Sequence, residues 1–146
     1  MITHPSTNEL IGQVRRQLSE VIAPAIQDEQ LLGLLGMLDS LLHRAAVRAE
    51  HEIAWMREEI AAIEQMAAGP GSEDERIAEA LARLKAERHT SCEASAVAAD
   101  YRLASEVLSR GLEATGEAAV ASRAILDVRL AREAEVLGDF ALVARD

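Results

Sequence analysis

Residues 31–63 read LLGLLGMLDSLLHRAAVRAEHEIAWMREEIAAI, and this stretch decides the fold. Apolar side chains recur along it at intervals of three and four residues, which is the spacing of one face of an α-helix. No proline lies between Pro24 and Pro70 to interrupt the pattern. The stretch therefore predicts one continuous helix from about Asp28 to about Ala68, where a Gly-Pro-Gly turn ends it. Its main apolar stripe consists of Leu31, Leu35, Leu38, Leu42, Ala45, Ala49, Ile53, Met56, Ile60 and Ile63.

The first half of this helix is apolar on a second side as well, through Leu34, Met37 and Leu41. We therefore expect the first half to be buried all round and the second half to be buried on one face only. Gly33 and Gly36 each cost about 1 kcal/mol inside a helix. They predict either close backbone packing or a helix that begins further along the chain.

The length of this helix predicts self-association. Forty helical residues span about 60 Å, whereas a compact chain of 146 residues has a radius of gyration of only about 15 Å. The helix therefore favours an elongated bundle of long antiparallel helices in which a second copy covers part of the apolar surface. The candidate interface residues are Leu34, Met37, Leu41, Arg48 and Trp55.

Trp55 lies on a polar flank of the predicted helix, away from the main stripe. Tryptophan is over-represented among the residues that dominate binding energy, which favours an interface. The alternative is that Trp55 covers the edge of the core within a single chain.

The rest of the chain also predicts helices. Ser6 and Glu9 form a capping box that opens a first helix, which Pro24 ends. Ser72 and Glu75 form a second capping box, whose helix carries the stripe Ile77, Leu81 and Leu84. Whether residues 72–115 form one helix or two is left open by the sequence.

A last helix is predicted from about Glu117 to Leu137, ended by Gly138 and covered by Phe140. No run of residues has the alternating pattern of a strand. The chain is therefore predicted to be all-α, a single domain over residues 1–146 with four to five helices. The predicted inner stripe of the last helix consists of Val120, Ala121, Ala124, Ile125, Val128 and Ala131.

Composition excludes several classes of protein. The chain is 49% hydrophobic, which is too apolar for a disordered protein, and its net charge of −10 argues against binding to nucleic acid or to an anionic membrane. The most apolar run has about a dozen residues, and a membrane span needs roughly twenty. No signal-peptide pattern opens the sequence, and the single cysteine fits a reducing compartment, so a cytoplasmic location is expected. Fourteen of the 15 basic residues are arginine, a bias typical of a GC-rich bacterial genome.

Chemistry-bearing motifs are few. The four histidines lack the Glu-x-x-His and His-Glu-x-x-His spacings of helical metal sites. Cys92 is expected on the inner stripe of its helix as a buried, inert side chain. No glycine-rich phosphate loop and no catalytic triad is recognisable. The sequence therefore predicts no catalytic, cofactor-binding or metal-binding residue, and non-enzymatic function is favoured.

The N-terminal half resembles a family of small bacterial helical proteins of unknown function. The resemblance begins with Pro5-Ser6-Thr7-Asn8-Glu9-Leu10 and continues with a second proline, Pro24. It ends with a long helix whose last part is the Arg/Glu-rich stretch at residues 41–52, LLHRAAVRAEHE. It covers about residues 5–60. Members are commonly encoded beside aminoglycoside-phosphotransferase-like kinases and acyl-CoA dehydrogenases. The resemblance implies an accessory protein in acyl-CoA or related catabolism and transfers no site residue.

Two functions follow as hypotheses. The first is a non-catalytic helical interaction protein that forms a homodimer and assists a partner enzyme. The alternative is a protein that binds a small molecule or an acyl group in an apolar slot between helices. A concave apolar pocket with a few convergent polar groups is required by the second and not by the first.

Overall fold

The computed structural model describes residues 4–138, and within that range it contains five α-helices and no strand. The helices are α1 (Thr7–Gln17), α2 (Glu29–Ala68), α3 (Glu75–Glu87), α4 (Ala94–Glu113) and α5 (Glu117–Leu137). A π-helical turn, Leu18–Ile22, and a 3₁₀ turn, Ala23–Ala25, follow α1. The predicted all-α class is confirmed, and so is the uninterrupted second helix.

The described residues fall into two compact units. Residues 4–52 and 133–138 form one unit, here called the end unit, and residues 53–132 form the other, the core unit. Helix α2 contributes its first 24 residues to the end unit and its remaining residues to the core unit. The two units differ sharply in how much they bury.

The core unit has a continuous apolar interior built from the second half of α2 and from α3, α4 and the start of α5. Ile63, Ile77, Leu84 and Val107 have no exposed surface. The stripe predicted for α3, made of Ile77, Leu81 and Leu84, is confirmed as buried. The cluster comprises Ile60, Ile63, Met66, Ala67, Ile77, Leu81, Leu84, Ala104, Val107, Leu108 and Ala118.

The end unit buries very little. The predicted capping box of Ser6 and Glu9 is present at the start of α1, yet α1 has no buried residue. Of the described residues in this unit, only Ala46 and Val136 are buried. The prediction that the first half of α2 is buried all round is therefore wrong for the single chain. The cause is that, among its described residues, no further helix packs against several of its apolar side chains.

The structure corrects the glycine prediction too. Helix α2 begins at Glu29, so Gly33 and Gly36 lie inside it, and a Cβ atom built on either would meet nothing within 4 Å. Neither a late helix start nor close packing within the chain explains these glycines.

The predicted capping box of Ser72 and Glu75 is wrong. Asp74 is the N-cap of α3, and its carboxylate accepts from the backbone N–H of Arg76, while the Ser72 hydroxyl donates to the Gly69 carbonyl. Residues 72–115 form two helices, α3 and α4. Cys92 lies in the connection between them and is exposed, so its predicted place on a buried stripe is also wrong.

The inner stripe of α5 is displaced from the predicted one. Val120 and Val128 are at least half exposed, whereas Ala118 and Ser122 are buried. The buried stripe continues at intervals of three and four through partly buried Ile125, Arg129 and Arg132. The predicted residues Ala121 and Ile125 do pack against the core. The prediction missed the rest of the stripe because it followed apolar residues, and two positions of the true stripe are arginines. Gly138 follows the last helical turn in a left-handed conformation, and Phe140 lies outside the described residues.

Candidate interaction surface

Six large apolar side chains lie exposed along the first half of α2, of which Leu32 is 37% exposed. The other five are 50–65% exposed and are here called the open face: Leu31, Leu34, Met37, Leu38 and Leu41. Four of them, at positions 31, 34, 38 and 41, follow the three-four-three spacing of the a and d positions of a coiled coil. Such a seam is typical of helices that pack side by side with a similar helix.

Helix α1 packs on the other side of α2. The Arg15 guanidinium donates to both carboxylate oxygens of Asp39, at 2.8 and 3.0 Å, and Asn8 donates to Glu50 at 2.6 Å. At 100° per residue, Asp39 and Glu50 are more than 90° around the helix from the centre of the open face. Packing of α1 against α2 therefore leaves the open face uncovered.

The charges along this part of α2 are unevenly placed. Asp28 accepts hydrogen bonds from the backbone N–H groups of Gln30 and Leu31, and Glu29 occupies the first turn. At 100° per residue, Asp28 and Glu29 lie more than 90° around the helix from the centre of the open face. Arg48 and Glu52 occupy seam positions beyond Leu41 and pair with each other.

Arg48 is exposed and is already engaged within the chain. Its guanidinium lies 3.0 Å from the Glu52 carboxylate and 3.8 Å from that of Glu133. It continues the heptad spacing of the open face, since 41, 45 and 48 are again four and three residues apart. The structure thus places Leu34, Met37, Leu41 and Arg48 on one continuous stretch of α2.

Trp55 lies apart from these four candidates, in the core unit. It is partly buried, the Arg132 guanidinium lies 5.6 Å from its ring centroid, and Arg132 donates to its backbone carbonyl at 3.1 Å. A cation over an indole ring stabilises both groups by roughly 0.5–1 kcal/mol at partly exposed sites. These contacts within the chain fit the alternative in which Trp55 covers the core edge, and its role in an interface stays a prediction.

A buried polar network in the core unit was not foreseen from the sequence. The Glu59 carboxylate accepts from the Tyr101 hydroxyl at 3.1 Å and from Arg129 Nε at 2.7 Å. Arg129 also donates to the Ser105 hydroxyl at 3.1 Å and lies over the Tyr101 ring. Glu59 is 6% exposed, so its charge is offset by hydrogen bonds rather than by water. The signal that could have found this network is the spacing of Arg129 from Ser122 and Ala118 on α5.

Beside this network, a shallow groove runs between α2 and α5. Its apolar lining consists of Ala62, Ala124, Ile125 and Val128, and its volume is about 280 Å³. Glu58 and Arg132 border it and form an ion pair with each other. Typical ligand sites occupy about 300–1,000 Å³ and direct polar groups at the ligand. Here the groove is smaller, and its charged groups satisfy each other.

The connection between α3 and α4 is fixed by a buried carboxylate. Asp100 accepts from the His89 backbone N–H at 3.1 Å and pairs with His89 Nδ1 at 2.7 Å. Burial opposes ionisation of Asp100, but the hydrogen bonds from His89 outweigh it and hold the pKa of this carboxyl below its ordinary value. Nearby, Arg57 contacts the Ser91 carbonyl and the Cys92 thiol. This arrangement holds a loop in place.

Among residues 4–138, no group of three or more His, Cys, Asp or Glu side chains is arranged to hold a metal ion. Nor does any helix in that range combine the length and the apolar character needed to cross a membrane.

Comparison of the chain with protein-family models, with curated proteins and with solved structures gives no match. The resemblance of residues 5–60 to small bacterial helical proteins therefore stays a prediction. Among the described residues, the exposed side chains of the open face bear most directly on function.

Proposed function

We propose that this chain is a non-catalytic, self-associating helical protein, and that a second copy of the chain covers its open face. The observation that carries the proposal is the exposure of Leu31, Leu34, Met37, Leu38 and Leu41 at coiled-coil spacing. Helices in water owe most of their stability to packing of an amphipathic face. A long helix with this face exposed is incomplete as a monomer.

Burial of the open face supplies free energy of the same order as the cost of association. Full burial of a Leu or Met side chain stabilises by about 1.5–3 kcal/mol, so completing the burial of a half-exposed one is worth about 1 kcal/mol. The ten side chains of two open faces then contribute on the order of 10 kcal/mol. The loss of translational and rotational freedom costs about 4–15 kcal/mol. Exposed Leu10, Val14, Val21 and Ile22 in and after α1 add apolar surface to the same unit.

The proposal is tested by the mass of the purified protein and of two matched variants. Light scattering at micromolar concentration is expected to give twice the mass of the 146-residue chain. The double variant Leu34→Glu/Leu41→Glu places charges on the open face and is expected to be monomeric. The control is Val120→Glu/Val128→Glu, which changes two equally exposed apolar residues of the core unit and is expected to stay dimeric.

Either of two results contradicts the proposal. One is a wild-type protein with the mass of a single chain. The other is a dimer that survives the change of Leu34 and Leu41, whatever the behaviour of the control.

The finer parts of the proposal depend on the resemblance of the N-terminal half. It supports a bacterial, cytoplasmic accessory protein that assists a partner enzyme of acyl-CoA or related catabolism. Co-purification of the native protein from its host, followed by mass spectrometry, tests that role, and recovery of the chain without any such enzyme argues against it.

The groove lined by Ala62, Ala124, Ile125 and Val128 favours the second candidate function, binding of an acyl chain or small apolar molecule. Its small volume and the mutual pairing of Glu58 and Arg132 make it the weaker candidate. Titration with a medium-chain fatty acid, followed by Trp55 fluorescence, tests it because Trp55 contacts Arg132 at the border of the groove. No change in emission would remove this candidate.

A further inference from the structure

We infer that the two copies pack their α2 helices antiparallel, with the two-fold axis between Leu38 and Leu41. The inference rests on the proposed self-association and specifies its geometry. It is carried by the two charged residues that continue the heptad spacing of the open face beyond Leu41, which are Arg48 and Glu52.

A parallel pair would bring like charges together in the seam beyond Leu41. Glu52 follows Arg48 by four residues in the heptad spacing, so it would face Glu52 of the second copy. Arg48 would also face its own counterpart in the seam, since it continues the heptad spacing of Leu34 and Leu41. Facing like charges destabilise a helical pair.

An antiparallel pair removes both conflicts. With the axis between Leu38 and Leu41, Leu38 of one copy packs against Leu41 of the other, and Leu34 packs against Ala45. Arg48 then comes level with Leu31 of the second copy, one helical turn from its Asp28. The aliphatic part of an arginine covers apolar surface while its guanidinium stays in water. Glu52 comes level with Gln27, just before α2 of the second copy, so neither charged residue of the seam faces its own counterpart.

The inference can be tested with nitroxide spin labels at two equivalent positions of the heptad. Gln30 and Met37 are exposed, lie seven residues apart and occupy the same side of the open face. Each is changed singly to cysteine in the full chain, with the exposed Cys92 changed to serine so that only one label is attached. Pulsed electron paramagnetic resonance then measures the distance between the two labels of a dimer.

Antiparallel packing predicts very different distances at the two positions. Labels at position 30 should be separated by about 28 Å along the helix axis, whereas labels at position 37 should be separated by only about 8 Å along it. A parallel pair would give the same short distance at both positions. That result would overturn the antiparallel arrangement while leaving self-association intact.

The experiment also separates the two proposals. Labelled protein that shows no dipolar coupling at either position, and has the mass of a single chain, contradicts the proposed function itself. Loss of coupling at position 37 in the Leu34→Glu/Leu41→Glu background checks that the short distance arises from the open face. Persistence of the coupling in that background would place the contact elsewhere and overturn the inference.

Discussion

The two halves of α2 carry similar apolar patterns and meet different surroundings. Ile60, Ile63 and Met66 in the second half are almost completely buried, because α3, α4 and the start of α5 pack around them. Leu31, Leu34 and Leu38 in the first half are about half exposed. The comparison teaches that an apolar stripe specifies a surface to be buried, and that the rest of the chain decides whether one copy can bury it.

The largest expected effect comes from shortening a buried side chain in the core unit. Ile63→Ala removes a side chain with no exposed surface and should lower the free energy of unfolding by about 4 kcal/mol, because it leaves a cavity. The matched change Leu34→Ala in the end unit should lower it by less than about 1 kcal/mol at concentrations where the protein is monomeric. Urea denaturation of both variants measures the difference. Equal losses would mean that the open face is covered within one chain.

A second comparison concerns two neighbouring carboxylates of α2. Glu59→Ala leaves Arg129 without its carboxylate partner and should destabilise the core unit by about 3 kcal/mol. Glu58→Ala removes the ion pair with Arg132, but Glu58 is exposed, so a loss under about 1 kcal/mol is expected. Thermal unfolding distinguishes the two variants. A larger loss for Glu58→Ala would show that the Glu59 network is not a major source of stability.

Replacing a glycine by alanine should change the stability of the protein in opposite directions in the two units. A Cβ atom at Gly111 would lie 2.1 Å from the Ser122 hydroxyl and 2.9 Å from the Met66 methyl group. Gly111→Ala should therefore destabilise the core unit by about 1–3 kcal/mol. Gly36→Ala meets open space inside a helix and should stabilise the protein by about 1 kcal/mol. Destabilisation by Gly36→Ala would indicate that a neighbouring chain packs closely on that side of α2.

The smallest effect is expected in acid. Hydrogen bonds from Arg15 hold the pKa of Asp39 below its ordinary value, and those from His89 lower that of Asp100 against the opposing effect of burial. A lowered pKa in the folded state stabilises the protein above the unfolded-state pKa of about 3.9, and that stability is lost as the pH falls through the folded-state value.

The acid effect is measured from unfolding curves recorded as the pH is lowered below about 4. Asp100→Asn should be less stable than the wild type at neutral pH and should lose less further stability in acid. Asp39→Asn should behave in the same direction with a smaller change, because Asp39 is more exposed than Asp100. Identical acid profiles for the wild type and Asp100→Asn would contradict the role assigned to the His89 contacts.

Much of the fold could be predicted from the sequence, because helix periodicity and the Gly-Pro-Gly turn depend on local chemistry. The extent of α2, the capping box at Ser6 and the limits of α5 all followed from such signals. The buried stripe of α5 followed only in part, since its Arg129 and Arg132 are charged and find their partners on α2, 70 or more residues away. The burial of the first half of α2 was wrongly predicted because the pattern cannot say which surface another helix will cover.

The central claim is that the open face is covered by a second copy, and hydrogen exchange as a function of protein concentration tests it most directly. Dilution should accelerate amide exchange in residues 29–48, since dissociation exposes this part of α2. Exchange in the buried segments around Ile63 and Val107 should not change, because the core unit needs no second chain. Exchange in residues 29–48 that is slow and independent of concentration down to nanomolar protein, in a chain of monomeric mass, would contradict the claim.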